Sequence, residues 1–215
     1  MPEATYLLRD LISRGAAFLG KKGIPEGQTL CELLAARLFK CGRLGLYKVL
    51  GAPVPPRLMD AMRRGIQRVA SGEPVQYVLG QWDFRSLTLK VDPRALVPRP
   101  ETEQLVEHVL ASRQAKAAKP LVVDVGTGTG CIILSLAKEM AGGVFVGLDV
   151  SPDALALAKE NAGLAGLADK VMFAESDGCG EFDPASVDIL VSNPPYIPSA
   201  VVDKLDPWIR EHEPR

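Results

Sequence analysis

Seven consecutive residues, Asp124-Val125-Gly126-Thr127-Gly128-Thr129-Gly130, restrict what this chain can fold into more than any other stretch. They follow the apolar run Leu121–Val125 and precede Cys131-Ile132-Ile133-Leu134, so they read as the turn between a buried strand and a helix over 130–140. Alternate glycines let the backbone bend tightly and keep Cβ atoms out of the path of a ligand. The rest of the C-terminal half keeps the alternation. A helix follows Pro100, with Leu105, Val106, Val109 and Leu110 as its stripe; residues 144–148, 171–174 and 187–191 are strands. Ser151 caps another helix, with Pro152 in its first turn. This pattern predicts an α/β, Rossmann-like fold: a parallel sheet with helices on both faces.

The N-terminal third reads differently. Residues 4–19 place Tyr6, Leu7, Leu11 and Phe18 at mostly helical intervals, and 29–39 put Leu30, Leu33, Leu34 and Leu38 on one stripe. Pro55-Pro56 opens a third helix to about Ala70, carrying Leu58, Met62, Ile66 and Val69, before Gly72 and Pro74 stop it. Residues 1–74 therefore form a small all-α bundle with antiparallel neighbours. Over 75–98 the period becomes two: Leu87, Leu89 and Val91 alternate with Thr88, Lys90 and Asp92. Trp82-Asp83-Phe84 is the hairpin partner, turning at Arg85-Ser86. The α/β domain occupies 99–215.

A chain of 215 residues, 47% hydrophobic and 24% charged, fits a soluble protein of one or two domains. No apolar run reaches the roughly 18–20 residues that cross a bilayer, and the amino terminus does not read as a secretory signal, so no membrane association and a cytoplasmic site are expected. Cys31, Cys41, Cys131 and Cys179 lie far apart, and neither His108 nor His212 has a zinc-type spacing to them, so neither disulfides nor a metal site is expected. The net charge of −1 hides an asymmetry: 15 Lys/Arg against 8 Asp/Glu in residues 1–98, and 10 against 18 in 99–215. The basic half suits nucleic acid or an acidic protein partner, or these are ordinary solvated faces or halves that attract each other.

Three motifs carry chemistry. The glycine turn lacks the last glycine of a nicotinamide-dinucleotide fingerprint, where Cys131 stands, and lacks the Gly-Lys-Ser/Thr of a phosphate loop. It suits a ligand with an amino-acid end. Asp149 ends the next strand, 23 residues after Gly126, where a carboxylate accepts both hydrogen bonds of a ribose diol. Ser192-Asn193-Pro194-Pro195-Tyr196 then follows a strand at its carboxyl end, where open α/β sheets bind ligands. An amide nitrogen is a poor nucleophile, so a methyl acceptor of that kind must be held in line with its hydrogens engaged. The Asn193 side-chain oxygen and Pro194 carbonyl offer acceptors, the prolines add no competing N–H, and Tyr196 can pack on a planar group.

Together these motifs resemble class I methyltransferases that act on amino nitrogens. Val97-Pro98-Arg99-Pro100-Glu101-Thr102-Glu103, Asn193-Pro194-Pro195-Tyr196-Ile197-Pro198 and Gly72-Glu73-Pro74-Val75-Gln76-Tyr77-Val78-Leu79-Gly80 further resemble the release-factor glutamine methyltransferase family, PrmC or HemK, over nearly the whole chain. The resemblance implies S-adenosylmethionine as cofactor and the Gly-Gly-Gln glutamine of peptide-chain release factors as substrate. It also implies a substrate-docking helical domain and a monomer. It assigns Asp124, Gly126, Thr127, Gly128, Thr129, Gly130, Asp149, Asp177, Gly178 and Asn193 to the cofactor. Asn193, Pro194, Pro195 and Tyr196 fall to the substrate glutamine, with Asn193, Pro194 and Tyr196 catalytic, and Arg99, Glu101 and Thr102 shape the site. Family members often carry an aromatic residue where this chain has Gly178.

Family members continue into three more strands where this chain reads His212-Glu213-Pro214-Arg215, so 187–191 is expected to be an open apolar edge and the chain alone unstable or inactive unless that edge is covered. Two alternatives stay open: a nucleic-acid amino-methyltransferase, opposed by the absence of Lys/Arg clusters, and a non-catalytic docking module. A nicotinamide-dependent oxidoreductase is disfavoured by Cys131.

Overall fold

Prolines fall at element starts or between elements in the computed structural model, which describes residues 6–180 and 182–194. The chain divides into two units, Met1–Leu79 and Gly80–Arg215. In the first, α1 (Leu8–Lys21), α2 (Gly27–Leu38) and α3 (Pro56–Ala70) enclose Leu8, Ile12, Leu19, Cys31, Leu34, Met62, Ile66 and Val69. Gly15 makes their close approach possible: a Cβ there would sit 2.6 Å from Ile66 Cδ1 and 2.8 Å from Cys31 Sγ. Helix α1 begins at Leu8, later than the spacing suggested, because the entering backbone pairs elsewhere. Val54 N donates to Tyr6 O at 2.9 Å and Leu8 N to Ala52 O at 3.0 Å.

Residues Val75–Leu79 form a short helix, α4, rather than the start of the hairpin segment. Val75-Gln76-Tyr77-Val78-Leu79 has a single polar residue, and five residues are too few to distinguish the periods. The Pro74 carbonyl accepts from Tyr77 N at 3.0 Å and Val78 N at 3.2 Å, which winds the segment.

The second unit opens with an antiparallel hairpin, β1 (Gln81–Phe84) and β2 (Leu87–Lys90). Its turn is at Arg85-Ser86, with Arg85 at φ 50°. The Arg85 side chain offsets that backbone conformation: it grips both Glu139 oxygens at 2.8 and 2.9 Å and reaches Glu107 at 3.3 Å, while its backbone N–H donates to Glu103 at 2.9 Å. Then come α5 (Pro100–Ala111), β3 (Leu121–Val125), α6 (Cys131–Glu139), β4 (Val144–Asp149), α7 (Pro152–Leu164), β5 (Val171–Glu175) and β6 (Ile189–Ser192). The four sheet strands are parallel in the order β5-β4-β3-β6, the reversal of strand order lying between β3 and β6. Strand β6 starts at Ile189, not 187, because Asp188 closes the ladder below it: Leu121 N donates to Asp188 Oδ2 at 2.8 Å and Asp188 N to Leu121 O at 3.0 Å.

Period-two burial follows. Val122, Phe145, Val171, Ile189 and Val191 face a core completed by Ile132, Ile133, Leu136 and Ala162 of α6 and α7. Val123, Val146 and Leu148 point the other way, where, among the described residues, Cys179, Phe182 and Val187 of a loop pack in place of a helix. On that side the expected helical layer is therefore not found within the described residues.

Candidate functional site

The carboxyl ends of β3, β4 and β6 converge on the glycine turn. Gly126, Gly128 and Gly130 all have positive φ, at 72°, 54° and 81°, so each alternate position demands the residue without a Cβ. The intervening threonines face inward, Thr127 and Thr129 being buried. Thr127 N donates to Leu148 O at 2.8 Å, which sews the turn to β4. Thr127 Oγ1 donates to Asp124 Oδ2 at 2.7 Å. Gly147 leaves room for this pair: a Cβ there would lie 2.8 Å from the Phe173 ring and 3.0 Å from Thr127 Oγ1.

Asp124 is fully buried. Its Oδ1 has no hydrogen-bond partner among the described residues. Burial pushes its carboxyl up to about 7; the Thr127 hydroxyl and the nearby Ile133 amide oppose the rise, and the charge of Asp149 adds to it. A buried carboxyl with an unpaired oxygen among the described residues, beneath a turn exposed at Gly126, fits a ligand bearing an ammonium or other donor.

Asp149 ends β4 and is nearly buried. Its Oδ2 accepts from Gly128 N at 2.9 Å and its Oδ1 from Ser151 N at 3.0 Å. Each oxygen keeps a second lone pair, so the carboxylate is fixed in place and still able to receive a diol. Asp177 and Gly178 follow β5, and Ser176 N donates to Asp149 O at 3.1 Å, which brings that bend beside Asp149. Gly178 N and O both engage the Ser176 hydroxyl, at 3.3 and 2.8 Å, and Asp177 is exposed.

Register sets the position of Asn193. Val125 pairs with Ser192 across β3 and β6, and Ser192 Oγ donates to Val125 O at 2.7 Å. The chain therefore leaves β6 as Asn193 at the level where β3 becomes Gly126. Asn193 Nδ2 donates to Thr102 Oγ1 at 3.0 Å. Thr102 is buried in the first turn of α5. With its nitrogen so engaged, the Asn193 amide presents its oxygen as a fixed acceptor. Arg99, the N-cap of α5, is half-buried, and Glu101 is exposed with no side-chain hydrogen bond among the described residues. Pro194 is exposed; Pro195 and Tyr196 lie outside the described residues.

The structure thus brings together Asp124, the glycine turn, Asp149, Asp177-Gly178, Asn193 and Thr102, and shows Glu101 exposed in the first turn of α5 beside Thr102. It adds Gly147, Ser151 and Asn161 to the surroundings. Ser151 was legible as a helix cap, and it does accept from Ala154 N at 3.2 Å. Gly147 carried no sequence signal beyond being a glycine inside a strand pattern.

Comparison with known proteins gives two family matches: PrmC N-terminal domain over residues 10–80 and methyltransferase small domain over 101–205. Among similar proteins, the release factor glutamine methyltransferase of Chlorobaculum tepidum is 37% identical over 224 residues, covering 100% of this chain and 76% of the relative. That of Geobacter sulfurreducens is 36% identical, covering 98% of this chain and 72% of its own length. That of Deinococcus radiodurans is also 36% identical, with 96% and 73% covered. No helix among the described residues is long and apolar enough to cross a membrane.

Proposed function

The chain belongs to the release factor glutamine methyltransferase family, and we propose that it transfers a methyl group from S-adenosylmethionine to the side-chain amide nitrogen of the Gly-Gly-Gln glutamine of peptide-chain release factors, acting in the cytoplasm as a monomer. The observation that carries the site assignment is the register of β6. It sets an amide acceptor, Asn193, beside the glycine turn, with Thr102 holding its nitrogen. The nucleic-acid and docking-module alternatives have no comparable support along the whole chain.

S-adenosylmethionine, when bound, supplies a methyl on a sulfonium centre that is already a good leaving group. The chain's own task is orientation and exclusion of water. The glycine turn and Asp124 would hold the amino-acid end of the cofactor. Asp149, already gripped by Gly128 and Ser151 amides, would receive its ribose hydroxyls. Asn193 Oδ1 and the Pro194 carbonyl accept the two hydrogens of the substrate amide, which holds the nitrogen in line with the methyl. No general base is needed before attack, because the methylated nitrogen sheds its proton afterwards.

The test is mass spectrometry of a release factor incubated with this protein and S-adenosylmethionine: one added methyl on the Gly-Gly-Gln glutamine is expected. Asn193→Ala should lower turnover steeply with cofactor binding nearly intact. Equal losses in both would remove Asn193 from the acceptor role.

A further inference from the structure

We propose that Asn161 is a positioning residue for the cofactor turn, joining it to the outer edge of the β1–β2 hairpin through one side-chain amide. The proposal rests on the methyl-transfer reading above and goes beyond it.

Asparagine is a mediocre helix former, and its burial is costly unless every polar atom is satisfied. Asn161 nevertheless lies in the body of α7, 1% exposed. Its three hydrogen bonds account for it. Oδ1 accepts from Lys90 N at 2.7 Å, Nδ2 donates to Lys90 O at 3.1 Å, and the same nitrogen donates to Thr129 O at 2.9 Å. Lys90 is the last residue of β2, opposite Gln81 of β1, and its N–H and C=O are bonded to Asn161. The carboxamide has the donor and acceptor of a peptide group, so Asn161 stands in for one residue of a third strand. Its remaining proton reaches Thr129, between two left-handed glycines of the turn.

Neighbouring contacts reinforce the same junction. Glu160 binds Lys90 Nζ at 2.6 Å and Arg94 at 2.9 Å, and Ala95 packs on Ala154 and Leu157. A Cβ on Gly128 would meet Ala95 at 3.8 Å. The ion pairs are exposed and individually weak; the buried amide is the rigid element. A shift at the hairpin edge is therefore passed to the Thr129 carbonyl without a flexible link. Because the turn is used alike before and during transfer, loosening it raises KM for S-adenosylmethionine and leaves kcat.

Asn161→Asp keeps the shape and the bond from Lys90 N, and as a carboxylate loses both donations. Calorimetry and steady-state kinetics should show Kd and KM for S-adenosylmethionine raised about tenfold or more, with kcat within about twofold of the parent. Relative to the parent at each pH, the penalty should grow as pH rises, because a protonated carboxyl keeps one donor and a carboxylate none. Glu160→Gln should leave Kd within about twofold. A lowered Tm with unchanged cofactor Kd in both Asn161→Asp and Asn161→Ala would reduce Asn161 to a packing residue. Should Asn161→Ala not fold, Asn161→Asp at low pH and its pH trend decide alone. Failure of the parent protein to bind S-adenosylmethionine would instead overturn the methyl-transfer reading, and this one with it.

Discussion

Replacing Thr102 by valine preserves the shape of a side chain that is 6% exposed and deletes the Oγ1 that accepts from Asn193 Nδ2 at 3.0 Å. A neutral hydrogen bond contributes about 1 kcal/mol net, with a range of about 0.5–1.5. Asn193 is exposed, so water takes over the freed amide and no buried orphan donor adds to the loss. What disappears is the preference for one amide orientation. If the two orientations become equal, half of the molecules present N–H groups where the substrate nitrogen needs an acceptor, a loss of about twofold. If the full 1.5 kcal/mol is withdrawn from the transition state, the loss is about tenfold. Turnover of Thr102→Val should therefore fall between about twofold and tenfold. Transfer of labelled methyl to a release factor measures it, with calorimetry for cofactor affinity. Thr102→Ser, which restores the oxygen, should recover most of the rate. The reasoning is refuted if serine and valine variants lose rate alike, since packing would then be the cause, or if cofactor affinity falls in step.

Asp124→Asn probes the buried carboxyl. An ordinary carboxyl titrates at about 4 when the chain is unfolded, and burial raises Asp124 to about 7 in the fold. The folded form thus binds the extra proton, and its stabilisation is complete below about pH 4 and lost as pH rises to about 7, by at most roughly 4 kcal/mol. Urea unfolding of the asparagine variant should lack this decline; parallel pH profiles would contradict it. Arg85→Ala should destabilise the second unit by about 1.5–3 kcal/mol, the range for bonds between charged groups, and Arg85→Gly should recover about 1 kcal/mol of that by relaxing the positive φ, as read from denaturant midpoints. Gly147→Ala forces a Cβ against the Phe173 ring and Thr127 Oγ1, so a loss of about 1–3 kcal/mol is expected. Weakened cofactor binding should accompany it, partly restored by Phe173→Leu; an unaffected affinity would separate the Thr127–Asp124 pair from the cofactor.

The sequence was most informative where one residue type answers one backbone demand. Gly126, Gly128 and Gly130 are glycines because all three take positive φ, and the Ser151-Pro152 cap needed only local chemistry. The Arg85-Ser86 turn was visible from the flanking alternation, although the left-handed position falls on an arginine, for reasons that lie in α5 and α6. Asn161 gave no hint, since an asparagine in a helical stretch looks solvated until the backbone it imitates is known. Val75–Leu79 is a helix although it adjoins the hairpin segment, because a mostly apolar pentapeptide carries no period of its own. Asp124 was legible as an acid before the glycines, but its burial and its bond to Thr127 make it a fastening beneath the turn as well. Thr102 entered only through family resemblance; nothing local announces that a helix-start threonine will meet a residue 91 positions later.

The pairing of Val125 with Ser192 has a wider meaning. Adjacent strands are spaced about 4.8 Å apart by their peptide groups, so donor and acceptor pockets that begin on neighbouring strands inherit a separation no side chain has to measure. Lengthening a surface loop leaves that gauge untouched; slipping β6 by one residue would turn Asn193 to the opposite face of the sheet.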